Sequence, residues 1–119
     1  MRISVIIVAY INSDVLIRTL KSIEKYNDIG SDLEVIVVDN SPKNKRVDSA
    51  ITEQKCKFDK YIPADNSGFG AGNNLGASVA SGDVLAFLNP DIILIQPVFS
   101  LINRRFESDK NLALLGGKL

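Results

Sequence analysis

The chain has 119 residues, enough for one domain whose folding takes about two thirds of the unfolded surface out of water. Hydrophobic residues at 45%, charged residues at 24% and only 8 Gly and 4 Pro exclude disorder, collagen and low-complexity repeats. Fourteen Lys and Arg balance 14 Asp and Glu, so bulk charge draws the chain to neither nucleic acid nor an anionic membrane, and with no His and a single Cys it has no His-based triad, Cys/His zinc site or internal disulfide.

Ile3 to Val8 is a continuous β-branched run that predicts a central strand covered on both faces. It is too short to span a bilayer and lacks a signal-peptide cleavage pattern, which together with the unpaired Cys56 predicts a reducing, cytoplasmic compartment. Attachment at the cytoplasmic face of a membrane would need a segment downstream. Asn12, Ser13 and Asp14 are turn and cap residues ahead of Leu16, Leu20 and Ile23, whose spacing predicts a helix to about Tyr26. Leu33 to Val38 is a second strand, stopped by Asp39, Asn40, Ser41 and Pro42. Residues 43–55 are polar and weakly helical, and Lys57 to Ile62 alternates as a short, more exposed strand. The Gly- and Asn-rich stretch Asn66 to Asn74 reads as a shaped loop entering a helix through Leu75 and Val79. Val84 to Leu88 is a fourth strand closed by Asn89, Pro90 and Asp91, and Val98, Leu101, Ile102 and Arg105 outline a last helix before a strand-like terminal run.

Strand repeatedly followed by helix predicts a mostly parallel α/β sheet with right-handed crossovers and helices on both faces. In such a sheet ligands collect beyond the carboxyl ends of the strands, which puts Asp39, the 66–74 loop and the 89–91 turn at one rim. Gly68-Phe69-Gly70-Ala71-Gly72 lacks the G-x-G-x-x-G spacing of a dinucleotide fold and follows the third strand rather than the first, and no P-loop is present. These glycines serve either tight turns and close helix-to-sheet approach or the shaping of a ligand loop. Asp39 and Asp91 each read alone as loop-capping residues; paired at a sheet rim, a carboxylate also suits magnesium or manganese beside a diphosphate.

Four segments in this order, Ser4 to Asn12, Glu34 to Ser41, Asn66 to Gly76 and Gly82 to Asp91, resemble the N-terminal half of family-2 inverting glycosyltransferases, closest to the bacterial rhamnosyltransferase-like branch. The resemblance covers nearly the whole chain. It implies a GT-A-type, Rossmann-like fold and transfer of a sugar from a nucleoside-diphosphate donor to a glycan or lipid-linked acceptor in surface polysaccharide synthesis, with Mn2+ or Mg2+ as cofactor. By the same resemblance Ala9 and Tyr10 border the base and ribose, Asp39 recognises the base or ribose edge, and Asn66, Gly68 and Asn74 shape the nucleotide pocket. Asp91 would hold the metal, with Asn89 and Asn12 in support. The family's usual Asp-x-Asp is here Asn89-Pro90-Asp91, a variant found in that branch, and Ile11 expands the commoner Ala-Tyr-Asn segment.

Inverting transfer also needs a base for the acceptor hydroxyl. In the resembling family that acid comes from the following half of the domain, so no residue here is assigned to it. Glu107 and Asp109 sit in a charged helical tail that reads as a solvated face, and Asp83 as a cap to the fourth strand. The chain is therefore expected to be a truncated domain, the nucleotide-sugar-binding portion over residues 1–119 without its acceptor half. The alternative is a non-catalytic nucleotide-binding or structural interaction module of the same α/β class. Either way an exposed apolar sheet edge is expected to favour self-association.

Overall fold

In the computed structural model residues 1–65 and 68–112 are described, and the strand expected in the terminal run falls largely outside them. Four strands form one parallel sheet: β1 (Ile3–Ala9), β2 (Leu33–Asp39), β3 (Lys60–Pro63) and β4 (Val84–Phe87), in the order β3-β2-β1-β4. Helices α1 (Ser13–Lys25), α2 (Asp48–Glu53), α3 (Phe69–Val79) and α4 (Phe99–Ser108) connect or follow them. Every residue of β1 and β2 is buried, the polar Ser4, Glu34 and Asp39 included, and their mainly apolar character predicts this for strands flanked on both sides and both faces.

The two faces of the sheet are packed differently. Val5, Ile7, Val35 and Val37 meet Leu16, Leu20 and Ile23 of α1, Ile51 of α2 and Phe99 of α4 in the main core. The opposite residues of the same strands, Ile6, Val8, Ile36 and Val38, form a second, smaller core with Ala77 of α3 and with Ala80. Period-2 alternation thus sends each strand's side chains into two separate layers.

Glycine sets how closely α3 approaches. A Cβ on Gly76 would lie 2.5 Å from Ile6 Cγ2 and 3.2 Å from Val38 Cγ2, whereas one on Gly70 would meet nothing within 4 Å. Gly76→Ala is therefore expected to destabilise the fold by about 1–2 kcal/mol, overpacking outweighing the helix propensity gained, while Gly70→Ala is neutral or stabilising. Paired urea denaturation curves check this; equal midpoints for the two variants would refute the tight approach.

Two elements are shorter than their sequence suggests. β3 begins at Lys60 because Asp59 turns its side chain into the ladder, its Oδ2 accepting from the Val35 N–H at 2.7 Å. Among the described residues β4 ends the sheet, and on it Leu85 and Phe87 are exposed, Phe87 at 53%. No helix among the described residues is long and apolar enough to cross a membrane.

Candidate functional site

The strand order places the topological switch between β1 and β4: the chain steps outward from β1 to β3, then returns to the other side of β1. Loops leaving the two sides diverge there and open a crevice at the carboxyl ends. A cleft of about 320 Å³ lies at this rim, lined by Val8, Tyr10, Asn40, Gly68, Phe69 and Pro90. A larger cavity of about 770 Å³ sits toward the amino ends of the strands, around Leu33, Val35 and Asp59, and none of the expected site residues lines it.

Of the residues expected at the site, Tyr10 and Gly68 line the cleft. Gly68 caps α3 with φ +96°, a backbone conformation essentially reserved for glycine, so here the glycine is needed for the turn itself. Ala9 is buried beneath the rim, its carbonyl accepting from the Asn40 N–H at 2.9 Å. Asn66 lies outside the described residues. Asn74 is exposed more than a turn into α3 and does not line the cleft.

Ile11 absorbs the extra residue of its loop by taking φ +63°, a costly conformation for a β-branched side chain, and its N–H donates to Ser41 Oγ at 2.7 Å. Asn12 caps α1, its Oδ1 accepting from the Val15 N–H at 3.3 Å. That cap gives Asn12 a supporting task through the helix it starts.

Asp39 has no exposed surface. Its Oδ1 accepts from the Ser41 N–H at 3.0 Å, and its Oδ2 from the Val47 N–H at 2.9 Å and the Tyr61 hydroxyl at 2.5 Å. Burial pushes its carboxyl up, but the bonds from Ser41, Tyr61 and Val47 outweigh this and hold it below its ordinary value. Its backbone carbonyl is capped by the Arg46 guanidinium, which also donates to Ala64 O at 2.9 Å. Contact between this carboxylate and a ligand would require giving up part of that network.

Asn89 and Asp91 are exposed in the turn after β4, closed by the Ile92 N–H donating to Asn89 O. Two buried hydroxyls of α1 hold the segment: Thr19 Oγ1 donates to Pro90 O at 2.6 Å, and Ser22 Oγ accepts from the Leu94 N–H at 3.0 Å. Neither was among the expected site residues, although two hydroxyls inside the stripe of Leu16, Leu20 and Ile23 were the available signal. Among the described residues no three acidic or Cys side chains gather as a metal-holding group. Asp91 is a single hard-oxygen donor, which fits an ion shared with a ligand's own phosphates and not an all-protein cage.

Comparison with known proteins decides the family. The model for glycosyl transferase family 2 matches residues 4–117. The chain belongs to this family. Among solved structures, a crystal structure of TarS from S. aureus superposes with TM-score 0.75 at 22% identity, covering 91% of this chain and 20% of that one. A crystal structure of a shorter TarS chain in complex with UDP gives the same score and identity, covering 91% and 32%. The mannosyltransferase PcManGT from Pyrobaculum calidifontis, in complex with GDP-Man and Mn2+, superposes with TM-score 0.74 at 19% identity over 91% and 32%. These likenesses establish the family's mostly parallel GT-A-type fold, and the chain spans a third or less of each solved chain. No curated protein gives a match.

Proposed function

We propose that residues 1–119 are the donor-binding portion of an inverting glycosyltransferase, holding the nucleoside diphosphate of an activated sugar while the acceptor surface and the base come from further chain. The observation that carries this is the cleft at the β1/β4 switch point, bordered by Tyr10, Gly68 and Pro90 from three of the family's segments. Tyr10 and Ala9 would border base and ribose, with the 66–74 loop, including Asn66, Gly68 and Asn74, shaping the pocket. Asp39 would act at the base or ribose edge, either directly or through the loop it holds.

Asp91, flanked by Asn89, would hold Mn2+ or Mg2+ jointly with the donor's phosphates; such an ion neutralises charge on a departing diphosphate. Thr19 and Ser22 would then keep this turn at the proper height above the sheet. The Asn89-Pro90-Asp91 variant supports the rhamnosyltransferase-like branch, hence a glycan or lipid-linked acceptor in surface polysaccharide synthesis on the cytoplasmic side. Exposed Leu85 and Phe87 support self-association along β4. The single acid also favours a second reading, a nucleotide-binding module without catalysis.

Titrating UDP, TDP and GDP into the chain with Mn2+ and then with chelator tests the proposal. One nucleotide is expected to bind more tightly with Mn2+, and Asp91→Ala to abolish that metal-dependent gain while leaving affinity in chelator unchanged. No binding by a folded sample would sink the donor-site reading, and binding without transfer by the full-length protein would leave the non-catalytic module.

A further inference from the structure

The turn that carries Asp91 has two ways to fold. It closes through the Ile92 N–H on Asn89 O at 3.2 Å, with Pro90 and Asp91 in its two central positions. The type I form of such a turn keeps both central residues at negative φ, whereas the type II form turns the central peptide plane over and puts the second of them at positive φ. Apart from glycine, Ile11 and Lys55 are the residues at positive φ among those described, so Asp91 is at negative φ and the type II form is not the one present. That form is still within reach of this sequence. Proline suits the first central position of both types, and aspartate is one of the few residues that tolerate positive φ.

The plane is held by a hydroxyl from outside the turn. Its oxygen, the Pro90 carbonyl, accepts from Thr19 Oγ1 at 2.6 Å. Thr19 lies within α1 and has no exposed surface. Its hydroxyl also stands 3.2 Å from Val15 O, the bond that a threonine inside a helix ordinarily makes. A hydroxyl has one proton to give, and the shorter contact is the one that leaves the helix. One helical turn further on, Ser22 Oγ donates to Thr19 O at 2.8 Å and accepts from the Leu94 N–H at 3.0 Å, so the chain is tied to α1 again three residues after Asp91. Turning the plane over would break the Thr19 bond and send the Asp91 carboxylate in a different direction.

We infer that Thr19 is a positioning residue for Asp91: its hydroxyl locks the Pro90–Asp91 peptide plane in one orientation, and so sets the fraction of molecules that present the Asp91 carboxylate to a divalent ion beside a nucleotide's phosphates. The assignment rests on the donor-site reading above and adds to it a residue that touches neither ion nor nucleotide. Apparent affinity scales with the competent fraction, so loss of the lock weakens the metal-dependent part of binding.

The test takes whichever of UDP, TDP and GDP binds the unaltered chain most tightly and measures its affinity by calorimetry in Mn2+ and in chelator. The ratio of the two affinities is the readout, because a general loosening of the cleft lowers both and cancels. Thr19→Val, which keeps the shape and removes the hydroxyl, is expected to reduce the ratio at least fivefold, and Thr19→Ser, which keeps the hydroxyl, to stay within twofold of the unaltered chain. Folding of each is checked by circular dichroism, and Thr19→Ala, with the same expected reduction, replaces the valine variant if that does not fold. No nucleotide binding by the unaltered chain overturns the donor-site reading and the role of Thr19 with it. Binding by the unaltered chain that is the same in Mn2+ and chelator overturns the role of Thr19 while leaving a nucleotide site. A valine or alanine variant that keeps the ratio, or a serine variant that loses it, overturns the role of Thr19 alone.

Discussion

Glu34→Ala is expected to lower the stability of the fold by roughly 3 kcal/mol, a loss on the scale of truncating a core side chain. Glu34 is 2% exposed near the start of β2, inside an otherwise apolar strand. Its Oε1 accepts from Ser4 Oγ at 2.7 Å and the Ser81 N–H at 2.8 Å, and its Oε2 from Ser81 Oγ at 2.9 Å, with Lys60 Nζ at 3.2 Å and Arg2 at 3.4 Å. Removing the carboxylate leaves these donors and two cations facing each other. Burial alone would raise its carboxyl, but the bonds from Ser81 and Ser4 and the Lys60 ammonium hold it at about 2, against an ordinary 4.5.

The sign of the pH effect follows from that depression. A carboxyl with a lowered folded pKa contributes stability fully present above its ordinary value and lost as pH falls through the folded one, here between about 4.5 and 2. Urea midpoints at pH 7, 4 and 2.5 should fall steeply for the native chain and much less for Glu34→Gln. Parallel acid profiles for the two would show that Glu34 does not carry the effect.

Asp39→Asn is expected to cost roughly 2–3 kcal/mol, because a buried carboxylate is replaced by a group that has one acceptor where three donors converge. An amide oriented to accept from Ser41 turns its NH2 toward the Val47 N–H and the Tyr61 hydroxyl; turned over, it loses Ser41. Tyr61→Phe removes one of the donors and should cost only about 1 kcal/mol. The two changes together should cost less than their sum, since they share the same contact. Chemical denaturation of the double-mutant cycle measures this, and strict additivity would separate Tyr61 from the carboxylate.

What the sequence reveals about the fold follows from how local the cause is. The apolar runs of β1 and β2 and the spacing of Leu16, Leu20 and Ile23 depend on neighbours along the chain, and they formed the elements they predicted. The weakly helical 43–55 stretch resolves into a 3₁₀ turn at Lys43–Lys45 and the six-residue α2. Glu34 passes unnoticed within its strand because its partners, Arg2, Ser4, Lys60 and Ser81, are scattered through the sequence. Both readings of the glycines hold in part: Gly72 and Gly76 admit the sheet, while Gly68 makes the turn at the cleft. The rim was legible from the strand ends, but which of Asp39 and Asn40 faces the cleft depends on the helix packed against each side of β2. Chemistry drew attention to the carboxylate; alternation assigns the cleft to the amide beside it.

The position of β1 bears on how the chain comes to be folded. Its residues precede every other element in the sequence, yet both of its edges are filled by later segments, 33–39 on one side and 84–87 on the other. During synthesis this seven-residue strand is made before both of its partners, and its second edge stays open until residues 84–87 have followed. The pairing that finally closes that edge is also the one that forms the β1/β4 crevice. Formation of the cleft and closure of the second edge of β1 are thus the same event, so any ligand that binds the finished cleft would also favour the folded chain by mass action.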